Sequence, residues 1–213
     1  MNRWLIVLFL FLALCVSSVQ AKTIAEAYQE SYQAETVGNW DLAIKALIPL
    51  YQTYPEGYTL NYRLAWLFFV KGAFANAEYH LKKTLVIAPA SFETKILYSR
   101  MLWTQKRWAD LEQLTLAMLK TNFYHYQTNL WLMQALSHDG KHDLAKKVGL
   151  KTLALYPTDV FFLQQYATAL QQLDDLAAAN QVFSELLILQ PNNAVAKAAL
   201  LGKTTQSTSQ VGE

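Results

Sequence analysis

The stretch GNWDLAIKALIPLYQTYP occupies residues 38–55, and its design returns as GAFANAEYHLKKTLVIAP at 72–89 and GKHDLAKKVGLKTLALYP at 140–157. Each opens on glycine, carries alanine at the sixth letter and closes on proline. Pro55, Pro89, Pro157 and Pro191 are separated by 34, 68 and 34 residues, and Phe123 stands where the missing proline would fall. The period divides the chain into blocks 24–57, 58–91, 92–125, 126–159 and 160–193. Small residues recur at the eighth place (Ser31, Ala65, Ser99, Ala167), where block four has Met133. The twentieth place holds Ala43, Ala77, Leu111, Ala145 and Ala179, and the fifteenth holds Gly38, Gly72, Lys106, Gly140 and Asp174.

Each block contains two apolar-periodic segments of roughly 13 residues, a helix-sized length. The glycine falls between them, where a tight turn needs a positive backbone angle. Small residues in mid-helix let two helices approach closely. Proline closes the second helix, because it lacks an amide donor and clashes in a helix interior. One such hairpin cannot bury its apolar face alone, whereas five stacked hairpins form a continuous core. The period therefore predicts an all-α solenoid.

This pattern resembles the tetratricopeptide repeat (TPR) family, whose helix–turn–helix unit has this length. Block two carries Leu64, Ala65, Phe68, Gly72, Ala77, Leu81 and Pro89 at the family's motif places. Block four carries Leu132, Met133, Leu136, Gly140, Ala145 and Pro157, and block five Tyr166, Ala167, Leu170, Ala179, Phe183 and Pro191. The family's tryptophan at the fourth place is absent, its positions being Ala27, Asn61, Lys95, Asn129 and Leu163. Gly149 replaces the large residue of the twenty-fourth place, and block one departs with Glu30 and Ala34. The resemblance implies a right-handed superhelical solenoid. After Pro191, Asn193 is placed to cap a short helix over 194–201 that covers the last repeat and ends at Gly202. Residues 202–213 have no apolar period and read as a disordered tail.

The first 21 residues differ in kind. Arg3 precedes an apolar run from Trp4 to Val16, and Val19 and Ala21 suit a signal-peptidase site. This has the form of a secretory signal peptide. The run is short for a membrane span, which needs about 20 residues. Cys15 follows Leu14 rather than a small residue, so it reads as part of the apolar run and not as a lipidation site. Cleavage after Ala21 would leave a chain without cysteine, and so without disulfides or thiol chemistry. The expected location is the bacterial periplasm or the exterior, with the mature chain soluble.

Apolar residues make up 53% of the 213 and charged residues 16%, with a formal net charge of +2. That composition is not that of a disordered chain, and it lacks the basic face of a nucleic-acid binder. HDGKHD offers His138, His142, Asp139 and Asp143, but Gly140 and Lys141 place it at a turn. It reads as a polar turn, with Asp143 capping the next helix, rather than a metal site. No phosphate loop, carboxylate pair or catalytic triad is legible, so neither an enzyme nor a cofactor is expected.

In the family, the inner surface comes mainly from the first helix of each unit. The corresponding places nominate Tyr28 and Tyr32 in block one, and Tyr62, Arg63, Trp66 and Phe69 in block two. They nominate Arg100 and Trp103 in block three, and Trp131 and Gln134 in block four. Block five supplies Gln164, Gln165, Thr168, Gln171 and Gln172. Aromatics with arginines are typical of interface hot spots, and glutamine can pair with a peptide backbone. The aromatic spacing fits a packed core equally well, and both readings stay open for Trp66 and Trp131. The arginines are either partner contacts or solvated or weakly paired. The lysines and asparagines with which some family members grip a terminal carboxylate are missing, because Tyr28, Tyr32, Tyr62 and Trp66 occupy those places. NFYHY, residues 122–126, is either a second contact patch or a local packing repair. The expected function is an exported scaffold for a protein or peptide in cell-envelope assembly or secretion. The alternatives are a self-assembling homo-oligomer and a glycan-binding module.

Overall fold

The computed structural model describes residues 22–209. The signal-peptide reading falls on residues 1–21 and lies outside the described residues, as do 210–213. Five helical hairpins follow one another. They are α1 (Ile24–Thr36) with α2 (Trp40–Thr53), α3 (Tyr58–Lys71) with α4 (Phe74–Ile87), and α5 (Phe92–Thr104) with α6 (Trp108–Leu119). Then come α7 (Tyr126–His138) with α8 (His142–Leu153), α9 (Val160–Gln172) with α10 (Leu176–Leu189), and a last helix, α11 (Ala194–Ser209). The described residues contain no strand. None of their helices is long and apolar enough to cross a membrane.

The 34-residue register is visible in the backbone and in the core. Every fifteenth place is left-handed, at Gly38 (φ 70°), Gly72 (83°), Lys106 (56°), Gly140 (72°) and Asp174 (59°). Lys106 and Asp174 adopt this turn although they carry the side-chain atoms that disfavour it. All ten residues at the eighth and twentieth places are at most 1% exposed. Each helix packs on its neighbours in sequence, and α3, α5, α7 and α9 also touch one another in succession. The second helices make no comparable contact with each other. The first helices therefore form the inner wall of the stack and the second helices the outer one.

Asparagine at the fourth place explains the missing tryptophan. Asn61 Nδ2 donates to Pro55 O (2.8 Å) and Gly57 O (2.9 Å), and Asn129 Nδ2 donates to Phe123 O (3.1 Å) and His125 O (3.0 Å). Both side chains are buried and tie the preceding linker to the start of the first helix. Asn61 Oδ1 then accepts from His80 Nδ1 at 2.8 Å. Burial holds the His80 pKa down at about 4, so the ring is a neutral donor. Tyrosine at the first place reaches forward. Tyr58 Oη lies 2.7 Å from Ser91 Oγ, and Tyr126 Oη donates to Asp159 Oδ2 at 2.8 Å. Ser91 and Asp159 are the N-caps of α5 and α9, so each tyrosine joins its repeat to the next helix start.

The C-terminal end differs from the sequence expectation. Asn193 Oδ1 accepts from Ala196 N at 2.9 Å, which caps α11, but the helix does not stop at Leu201. It continues through Gly202 to Ser209, so residues assigned to a disordered tail are helical. Glycine costs a helix only about 1 kcal/mol relative to alanine, which is too little to end one without a closing motif. At HDGKHD, Lys141 occupies the N-cap of α8 and Asp143 sits in its first turn, so Asp143 does not cap that helix.

Candidate partner-binding face

The inner wall begins with a polar knot between α1 and α3. The Arg63 guanidinium pairs with Glu35 at 2.5 Å, and its Nη2 donates to Ser31 Oγ at 3.3 Å. It also lies over the Tyr32 ring, 4.0 Å from the centroid. Trp66 Nε1 donates to Glu35 Oε1 at 2.9 Å. The indole and guanidinium hydrogen bonds outweigh the effect of burial on Glu35, and its carboxyl pKa is lowered. Tyr28 packs beside Tyr32, and Phe69 beside Trp66 and Phe74. Tyr62 stacks on Tyr58 with centroids 6.2 Å apart.

The same rung recurs between α5 and α7. Trp103 Nε1 donates to Gln134 Oε1 at 2.8 Å. Glu35–Trp66 and Trp103–Gln134 each join the twelfth place of one repeat to the ninth of the next, 31 residues on. The donor changes sides while the geometry is kept. Glu35 was missed in the sequence reading, because a lone acid beside a turn looks solvated. The repeated 31-residue spacing of tryptophan to a side-chain acceptor was the available signal.

Two nominated residues have little surface to offer. Arg63 is 8% exposed and committed to Glu35, so it is not a solvated arginine. Trp131 is 5% exposed and belongs to the core with Leu97, Met101 and Leu111. Its indole points between helices because the sixth place of α7 faces the third repeat. Trp66 lies between its two readings, half-buried against the core with its nitrogen on Glu35.

The remaining nominees are accessible. Tyr32 is 52% exposed and Trp103 42%. Arg100 is exposed and makes no ion pair among the described residues. Gln164 accepts from Asn193 Nδ2 at 2.9 Å, so its carbonyl is spent on the α11 cap. Gln165, Thr168 and Gln171 are half-buried and Gln172 is exposed, and their side chains make no hydrogen bonds among the described residues. The wall thus runs from an N-terminal knot, in which only Nε of the Arg63 guanidinium lacks a partner among the described residues, to a C-terminal row of unspent amides. At the HDGKHD turn, His138 stacks on Trp108 with centroids 4.0 Å apart. No group of three metal-ligating side chains occurs among the described residues.

Comparison with solved structures fits this architecture. A crystal structure of the MamA protein superposes with a TM-score of 0.70 at 18% identity, over 79% of this chain and 92% of that one. YrrB, described as a TPR protein with an unusual peptide-binding site, gives 0.71 at 12% identity over 82% and 90%. MamA from Desulfovibrio magneticus RS-1 gives 0.70 at 15%, over 79% and 95%. This chain has the TPR fold. No family model matches the sequence, and no curated protein matches it closely enough to count as a relative. The third repeat, which lacks the proline, the turn glycine and the alanine of the twentieth place, still forms its TPR hairpin from α5 and α6.

Proposed function

We propose that this chain is an exported TPR scaffold that holds an extended peptide or a helix of a partner protein on its inner wall. The observation that carries this reading is the C-terminal half of the wall. Exposed Trp103 and Arg100 lead to Gln165, Thr168, Gln171 and Gln172, whose side-chain polar atoms have no partner among the described residues. A partner backbone supplies the donors and acceptors that these amides lack, and the indole contributes buried area at low entropy cost. The structural likeness to a peptide-binding TPR protein supports the mode, and the signal-like leader supports a setting in envelope assembly or secretion. Arg63 and Trp131 support the wall from behind.

The test places a photocrosslinking amino acid at Gln171 or, as an outer-wall control, at Val86, and irradiates intact cells. Val86 is 79% exposed, so it reports on accessibility alone. The expected result is a discrete adduct from Gln171 that weakens with Trp103→Ala and is absent from Val86. Identical adducts from both positions, or none from Gln171, would overturn the reading.

A further inference from the structure

The second and fourth repeats share a lysine as well as their tyrosine and asparagine ties, and its surroundings differ. Lys83 and Lys151 stand 68 residues apart at the same place of their repeats. Each donates to a carbonyl of the linker before its own repeat, Lys83 to Pro55 O at 3.2 Å and Lys151 to Phe123 O at 3.1 Å. Lys83 also has a carboxylate, Glu56, at 2.8 Å. The counterpart of Glu56 is Tyr124. Lys151 makes no ion pair among the described residues; its other neighbours are Asn129 Oδ1 at 3.5 Å, the Phe123 ring, whose centroid is 3.0 Å away, and the Tyr124 ring at 5.8 Å.

The space beside the ammonium differs as well. Beside Lys83 stand the rings of Tyr51, from the end of the first repeat, and His80, with centroids 5.0 Å apart and the ammonium 5.5 Å from the Tyr51 centroid. Their counterparts are Leu119 and Val148, and here there is a cavity of about 670 Å³. Leu119, Leu132 and Val148 line it together with Leu116 and Ala117. Lys151 and Lys120 are its only charged lining residues.

We propose that this cavity binds a small monocarboxylate with an apolar body, whose carboxylate takes beside Lys151 the position that Glu56 holds beside Lys83. The lining favours a hydrocarbon body over a peptide as the occupant. A peptide brings an N–H and a C=O with every residue, and each needs a partner. The Asn129 amide donors are already spent on Phe123 O and His125 O, so Gln113 is the one uncharged lining side chain with free polar atoms. A hydrocarbon body asks for no such partners. Burial lowers the Lys151 pKa, whereas the hydrogen bond to Glu56 raises that of Lys83, which is the contrast expected of an ammonium without and with its counter-charge. The site lies between the outer helices α6 and α8, with Asn129 and Leu132 contributed by α7, and shares no residue with the proposed partner-binding face.

Calorimetric titration of the full chain with octanoate and with 1-octanol tests this. The acid is expected to bind saturably at one site, and the alcohol at least about tenfold more weakly, since a charged hydrogen bond contributes about that factor. Tyr124→Glu restores an internal carboxylate in the place of Glu56 and is expected to weaken octanoate by a similar factor with an unchanged circular dichroism spectrum. Lys151→Met should do the same by removing the ammonium. Equal binding of acid and alcohol, undiminished octanoate binding in both variants, or no saturable binding would overturn the proposal. So would displacement of octanoate by an acetylated apolar peptide of equal or higher affinity.

Discussion

At the scale of single residues, two departures from the repeat pattern turn out to be one feature. Met133 is large for an eighth place, and Gly149 is empty at a twenty-fourth place that elsewhere holds Leu47, Leu81, Thr115 and Phe183. A Cβ built on Gly149 would lie 2.6 Å from Met133 Cε and 2.8 Å from Tyr166 Cδ2. The methionine occupies the volume that glycine leaves. Gly149→Ala should therefore lower stability by about 1 kcal/mol, with overpacking outweighing the better helix propensity of alanine. Met133→Ala is itself destabilising, by about 2–5 kcal/mol, but in that background Gly149→Ala should cost less than in the wild type, because the two changes are coupled. Urea unfolding of the double-mutant cycle measures this, and a Gly149→Ala protein more stable than wild type would refute it. Each departure was legible in the sequence, but their pairing was not, because it depends on how two helices meet and not on the period. The same limit hid Glu35, whose partners Arg63 and Trp66 lie on the next inner helix.

At the scale of elements, the period specified hairpins and turns well, because glycine, alanine and proline each act locally. Lys106, a departure from the glycine pattern, and Asp174 nonetheless hold the turn at the fifteenth place, although the lysine side chain gives no such signal. Helix ends governed by weak preferences were less legible, and α11 is the clearest case. Its functional part is the first two turns, where Ala196 is fully buried among Leu163, Phe183 and Leu186. Asn193 both caps α11 and binds Gln164, which couples the lid to the inner wall. Ala196→Glu should undock this lid and cost about 3 kcal/mol or more, since it buries an unpaired charge. Lys197→Glu, on an exposed neighbour, should change stability little. Guanidinium unfolding distinguishes the two, and light scattering should show association of the Ala196 variant as the last repeat's apolar face opens. Equal stability of the two variants would mean that α11 does not act as a lid.

At the scale of the whole molecule, a solenoid is only as cooperative as the weakest joint between repeats. Here that joint lies between α4 and α5, which make the slightest contact of any consecutive helices. The core still crosses it through Ala65, Leu97 and Met101, and Tyr58 bridges it through Ser91 and Glu93. The joint also divides the inner wall. The Arg63–Glu35–Trp66 knot lies on its N-terminal side, and the Trp103–Gln134 rung with the unspent amides lies on its C-terminal side. Amide hydrogen exchange should accordingly resolve two cooperative groups, α1–α4 and α5–α10. Tyr58→Phe should widen the difference, because it removes the hydroxyl that spans the joint. A single opening free energy across all ten helices, or a division placed elsewhere, would contradict this. A partner confined to the C-terminal half of the wall should protect only the second group, whereas one that also reaches exposed Tyr32 must cross the joint and slow exchange in both. Exchange measured with and without a captured partner therefore reports how much of the wall that partner covers.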